Sequence, residues 1–219
     1  MLGSAAVSVI QLRLGFRTDL AASIQAELAA AQSKFEGGIP LNSGTSFMPW
    51  FLIKDTVGLA TVANARTVPL PSDWLLENEE DELFYYNAAN TDSPYTVLTK
   101  DDPDVLQANF GGTGGPQAYS LVGTGYRIYP LPDDIYPLQT SYYASDTAFD
   151  PAAENKWLKY VPNLLIGEAG MAMTIPTRES RQEVFTYFQN IRAEAISMLH
   201  ILTEERLHTN RRYVMGGDD

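Results

Sequence analysis

The chain has 219 residues, 45 % of them hydrophobic, with no cysteine, two histidines and a formal net charge of −12. That apolar share is enough for a sizeable core and argues against global disorder. The lack of cysteine excludes disulfides, thiolate catalysis and cysteine-ligated zinc.

No apolar run reaches the length of a membrane span. Residues 1–10 carry neither a basic segment nor a long apolar stretch, so no signal peptide is expected. The charge is unevenly placed. Residues 1–72 hold five basic and four acidic side chains, residues 73–150 two and fourteen, and residues 151–219 eight and nine. The middle third therefore carries the excess. Tight nucleic-acid binding needs a clustered basic surface, which this chain lacks on a large scale.

In chain order, residues 1–16 read as a weakly patterned leader. Thr18 reads as an N-cap, with Asp19 favourable at the start of the helix dipole. Residues 19–35 are alanine-rich, with Leu20, Ile24, Leu28 and Ala31 at helical spacing. Gly37 and Gly38 end that helix and Pro40 prevents its restart. From Phe47 the pattern changes. Residues 47–53 read as a buried strand that Pro49 pushes toward an edge, and residues 56–62 and 66–70 as short β runs. Pro69 and Pro71 mark the exit from a strand into a turn through Trp74. The acidic run at 77–82 reads as a solvated turn or helix start.

Further strands are expected at 83–86, 95–99 and 118–122, with one or two helical turns within 101–110 and a flexible glycine loop at 111–115. Residues 126–129 and 136–143 are the clearest strands: they alternate, are rich in tyrosine, and are separated by a proline-bearing turn at 130–134. After Pro151 the pattern is helical. A short segment at 155–160 stops before Pro162, and a helix of small residues spans 163–175 until Pro176 breaks it. Thr177 then caps a long helix with Glu179 in its first turn. Val184, Phe188, Ile191, Ala195, Met198, Leu199 and Leu202 step along it by three and four. Arg206, Arg211 and Arg212 gather near its end, where cations complement the carbonyl dipole.

The chemistry-bearing patterns are sparse. The glycine loop at 111–115 is followed by Pro116 and a strand, whereas a phosphate loop needs Lys-Ser/Thr and a helix start. His200 and His208 lie two helical turns apart, roughly 12 Å of rise, too far to share one ion. Carboxylates are plentiful between 73 and 150 but sit in turn-like sequence, without an apolar scaffold to raise one of them. Tyr126, Tyr129, Tyr136, Tyr142 and Tyr143, with Trp157 and Tyr160 soon after, form either a core face or a subunit interface; a carbohydrate platform is a weaker third reading.

The stretch from Gly125 to Tyr143 carries a resemblance. A strand ends in Pro130-Leu131-Pro132, a turn follows, and a second strand ends in Tyr142-Tyr143. Asn155-Lys156-Trp157-Leu158 comes next, then Pro162 and a helix of small residues. This order, together with the alanine-rich helix at 19–35 and Leu70-Pro71 through Trp74, resembles head-to-tail adaptor proteins of short-tailed bacteriophages over about residues 18–212.

The resemblance implies a structural virion protein without catalytic residues or cofactors, made in the host cytoplasm and placed at the head-tail junction. Such adaptors form a ring, commonly of twelve, beneath the portal. They join it to the tail nozzle and leave a channel through which genomic DNA passes. Carried over, Arg206, Arg211, Arg212, Tyr213 and Val214 become portal-contact candidates. Tyr129, Tyr136, Tyr142, Tyr143 and Trp157 become ring-interface candidates. Glu79, Glu80, Asp81 and Glu82 are candidates for an acidic surface facing the channel or solvent, since an acidic wall repels DNA.

The expected class is α+β: a helical bundle built from the N-terminal helix and the long C-terminal helices, with an inserted antiparallel β-rich region. The expected division is a leader at 1–17, a helical adaptor domain at 18–46 and 151–219, and an acidic β-rich insertion at 47–150. Two other functions fit the same sequence: another tail or nozzle subunit, or a glycan hydrolase using paired carboxylates within 73–150.

Overall fold

A computed structural model describes residues 1–41, 43–78, 81–86, 95–174 and 182–214, with side chains to Leu207. Its helices are α1 (Gly3–Arg13), α2 (Ala21–Glu36), α3 (Pro103–Asn109), α4 (Lys156–Tyr160), α5 (Pro162–Thr174) and α6 (Gln182–Val214). Its strands are β1 (Ile39–Pro40), β2 (Ser46–Phe47), β3 (Ile53–Asp55), β4 (Thr67–Pro69), β5 (Trp74–Glu77), β6 (Phe84–Tyr86), β7 (Tyr95–Val97), β8 (Thr99–Lys100), β9 (Thr113–Gly114), β10 (Ala118–Val122), β11 (Gly125–Tyr129), β12 (Leu131–Pro132), β13 (Leu138–Gln139) and β14 (Ser141–Ala144). The α+β class holds. The chain divides into two compact units, a helical one (Met1–Leu52 with Ser145–Asp219) and a β-rich one (Ile53–Ala144).

In the helical unit, α5 packs against α1, α2, α4 and α6. The close approach to α6 depends on glycine. A Cβ on Gly167 would lie 2.7 Å from the Arg192 Cβ and 2.9 Å from the Phe188 carbonyl oxygen, and one on Gly170 would overlap the Phe188 ring. Helix α2 buries Ile24, Leu28, Ala31 and Phe35, one stripe at helical spacing. Phe35, Trp157 and Phe188 are fully buried. Phe51, from the 3-10 turn Trp50–Leu52, meets the Trp157 ring edge-on at 5.2 Å. Glu168 of α5 pairs with both Lys34 of α2 and Arg192 of α6.

Several local expectations change here. The stretch read as a leader contains α1, which buries Ala6, Val7 and Ile10. Small residues give little contrast between the two faces of a helix, so its periodicity is faint. Helix α2 begins from a 3-10 turn, Thr18–Leu20, without a side-chain cap. Asp19 is held by two Arg17 hydrogen bonds at 2.8 and 2.9 Å, which keep its carboxyl below the ordinary range. The strand expected across 47–53 breaks at Pro49 into β2, the 3-10 turn and β3. Helix α4 has a cap that the reading did not name: the Asn155 side chain accepts the Leu158 N–H at 2.9 Å. Pro176, Thr177 and Glu179 lie outside the described residues.

In the β-rich unit, β11 is flanked by β10 and β4, and β8 joins β10. The β10–β11 pairing runs antiparallel from Ala118 opposite Tyr129 to Val122 opposite Gly125. Alternation along β11 sends Tyr126 and Ile128 into one cluster with Val68, Leu83, Leu98, Tyr119 and Leu138. Tyr129 points the other way, against Leu106 of α3 and Ala118. Strand β14 lies between β3 and β5 in a second sheet.

Residues 126–129 and 136–143 thus do not form the adjacent pair expected of them. Prolines at 130, 132 and 137 interrupt the chain between them; β11 instead forms a hairpin with β10 and also pairs with β4, while β14 pairs with the distant β3 and β5. Strand β5 occupies the segment read as a turn: Pro69 and Pro71 only precede it, and Trp74 onward is free to pair. The region is also not purely antiparallel, because β8–β10 and β9–β12 run parallel.

Candidate assembly surfaces

Four of the five ring-interface candidates are core side chains. Tyr129 and Trp157 are fully buried, and Tyr142 and Tyr143 nearly so. The Tyr129 hydroxyl donates to the Pro103 carbonyl at 3.3 Å. The Tyr142 ring stacks on Trp74 at 5.1 Å, and its hydroxyl donates to Asp73 Oδ1 at 2.8 Å. A side chain closed off inside its own unit offers no area to a neighbour, so these four leave the interface set. Tyr136 is half-buried. Its hydroxyl donates to Asp133 at 2.7 Å, a bond that pushes its pKa up to about 12.

The acidic stretch is partly internal. Glu77, read as part of a solvated run, is a buried residue of β5. Its carboxylate accepts the Tyr119 hydroxyl at 3.0 Å and pairs with Lys100. Burial is the main reason the Tyr119 and Tyr126 hydroxyls are held far above the ordinary tyrosine range, with Glu77 adding to it. Asp81 is half-buried and accepts the Ser141 N–H at 2.9 Å. Glu82 is exposed, and Glu79 and Glu80 lie outside the described residues.

A second polar group joins Lys54, Asp73 and Tyr142. Lys54 Nζ donates to Asp73 Oδ2 at 2.5 Å. Burial alone would raise the Asp73 carboxyl, but the Lys54 and Tyr142 hydrogen bonds outweigh it and hold it low. The same bond raises Lys54, and burial followed by the Asp73 bond raises Tyr142. A lowered carboxyl is the opposite of what a glycosidase general acid requires. Among the described residues, no group of three His, Asp or Glu side chains is placed to hold a metal ion.

Helix α6 runs for 33 residues. Phe188, Ala195, Leu199 and Thr203 face inward. Met198 and Leu202, expected in the core, are exposed, Met198 by 65 %, and so is Ile201. Met198 and Leu202 edge a groove of about 180 Å³ lined also by Tyr160, Pro162, Ile191 and Glu194. The sequence signal for it was the width of the apolar arc, since 198, 199, 201 and 202 span more than one packing seam.

His200 meets Phe47 edge-on at 5.0 Å; the His208 side chain lies outside the described residues. Of the portal-contact candidates, Arg206 is exposed and its guanidinium sits 5.0 Å over the Trp50 ring. The backbone of Arg211, Arg212, Tyr213 and Val214 continues α6, and their side chains are outside the described set. Among the described residues, no helix is long and apolar enough to cross a membrane.

A comparison with curated proteins gives no match. The family model of the SU10 adaptor protein matches residues 6–212, from within α1 to all but the last residues of α6. The match therefore spans both units, and the chain belongs to the SU10 adaptor family, the structural adaptors of bacteriophage virions.

Proposed function

We propose that this chain forms a ring beneath the portal of a short-tailed phage, joins it to the tail nozzle, and leaves a channel for DNA. The observation that carries this reading is the family match over nearly the whole chain. Two features of the molecule support it. Among the described side chains the last buried one of α6 is Thr203, and the helix runs on from there to Val214 with Arg206, Arg211 and Arg212 in its last turns. A basic helix end suits carboxylates on a partner, and residues 206–214 are the proposed portal contact. The Trp50 ring under Arg206 aims that end of the helix.

The acidic excess of residues 73–150 fits a surface that DNA slides past without adhering, since like charges repel. Glu82, Asp101, Asp102, Asp104, Asp133, Asp134 and Asp150 are its exposed described members. Tyr136 remains a ring-contact candidate, being half-buried in the single chain.

The test is a deletion of residues 207–219, which begins after Thr203, the last buried residue of α6 among those described. Co-sedimentation with purified portal rings of the same phage should be lost while the circular dichroism of the remaining helices is kept. Undiminished portal binding would overturn the assignment of that end of the helix. Binding to nozzle rings alone would move the chain one position down the tail.

A further inference from the structure

We propose that the turn after α1 is the knob that fills the α6 groove of the next copy in the ring. The inference rests on the adaptor reading for its symmetry. A head-tail junction has two different ends, so its subunits cannot meet through self-complementary two-fold contacts, which would make those ends equivalent. Each subunit must present two unlike patches. Two of the exposed apolar patches among the described residues of the helical unit differ in shape and in charge.

The first projects. Phe16 is 73 % exposed and Leu12 is 52 % exposed. The backbone holds Phe16 outward at some strain. Gly15 and Phe16 both have positive φ, 82° and 62°, and the Phe16 N–H is fixed to the Gln11 carbonyl at 2.8 Å. An aromatic residue in the left-handed region is uncommon, and such strain clusters at functional positions. Arg13 stands one helical turn before it, over the Tyr187 ring at 4.0 Å.

The second patch is the groove edged by Met198 and Leu202, with Tyr160 at its far rim and Glu194 in its wall. A phenyl ring inserted there meets a thioether and an aromatic ring, both favourable neighbours. Arg13 of the incoming copy brings a cation toward Glu194. Lys159 lies outside this wall, near the Tyr160 ring at 5.2 Å.

The chain has no cysteine, so introduced thiols are the only ones. Thr18→Cys marks the knob and Asn163→Cys the groove rim, and neither removes an apolar contact. Copies assembled on purified portal rings of the same phage are treated with a short bis-maleimide. Neither single variant should cross-link. Their equimolar mixture should give dimers, and the double variant a ladder of oligomers. Adding Phe16→Ser to the double variant should erase the ladder and weaken self-association about tenfold or more, with the thermal midpoint of the free chain unchanged.

Dimers from Asn163→Cys alone would mean that two α6 grooves meet about a two-fold. Ring assembly with no ladder would mean that another face, or another protein, occupies the groove. Either result overturns the proposal. A ladder formed in solution by a chain that does not bind portal would overturn the adaptor reading and leave the docking contact standing.

Discussion

The two units stabilise their centres by different means. In the helical unit, Phe35, Phe51, Trp157 and Phe188 pack with α5 glycines that let two helices approach closely. In the β-rich unit the large buried side chains are tyrosines, and the hydroxyls of Tyr119 and Tyr142 are tied to the carboxylates of Glu77 and Asp73. An apolar centre is indifferent to pH and sensitive to volume. A tyrosine-carboxylate centre is tolerant of neither an unpaired hydroxyl nor a change of protonation. The acidic run is thus two things at once, with Glu77 inside the unit and Glu82 at the surface.

The largest effect is expected where volume matters. Trp157→Ala should destabilise the helical unit by about 3–5 kcal/mol, read by chemical denaturation. A loss under about 1 kcal/mol would show that Trp157 is not at the centre of that core. Glu77→Ala comes next. It strands the buried Tyr119 hydroxyl and removes the partner of Lys100, and should cost about 1–3 kcal/mol. A neutral result would mean that burial alone holds the β-rich unit together.

The smallest effect concerns pH. Asp73 is held below its ordinary 3.8, so its contribution is complete above that value and fades as pH falls through the folded pKa. Lys54 and Tyr142 are raised above 10.5 and 10.0, so theirs is complete below those values and fades as pH rises. Thermal midpoints should therefore form a plateau between those limits. Asp73→Asn should lower the plateau slightly and flatten both edges. Unchanged edges would remove the polar group from the account.

Much of the helical unit was legible along the chain. Ile24, Leu28, Ala31 and Phe35 announce α2 by spacing alone, and the glycines of α5 announce close packing. The faint periodicity of α1 hid it, because alanine and serine differ little in hydrophobicity. The β-rich unit was less legible. Its strands run two to five residues, and its sheets join segments as far apart as β3 and β14. The candidate surfaces were least legible. A tyrosine reads the same in a core as at an interface, so Tyr129 and Tyr142 looked like contacts and turned out to be filling.

The sequence alone determined the α+β class, the helix of residues 19–35, the position of the acidic excess, and, through the order of its motifs, the adaptor family. Local spacing and charge carry those, and neither needs the chain to fold back on itself. The tertiary structure alone decided which partner each strand takes, that Glu77 is inside, that four aromatic candidates are buried, and that Phe16 and the α6 groove are exposed. Those depend on what the rest of the chain covers, and burial is a property of the packed whole.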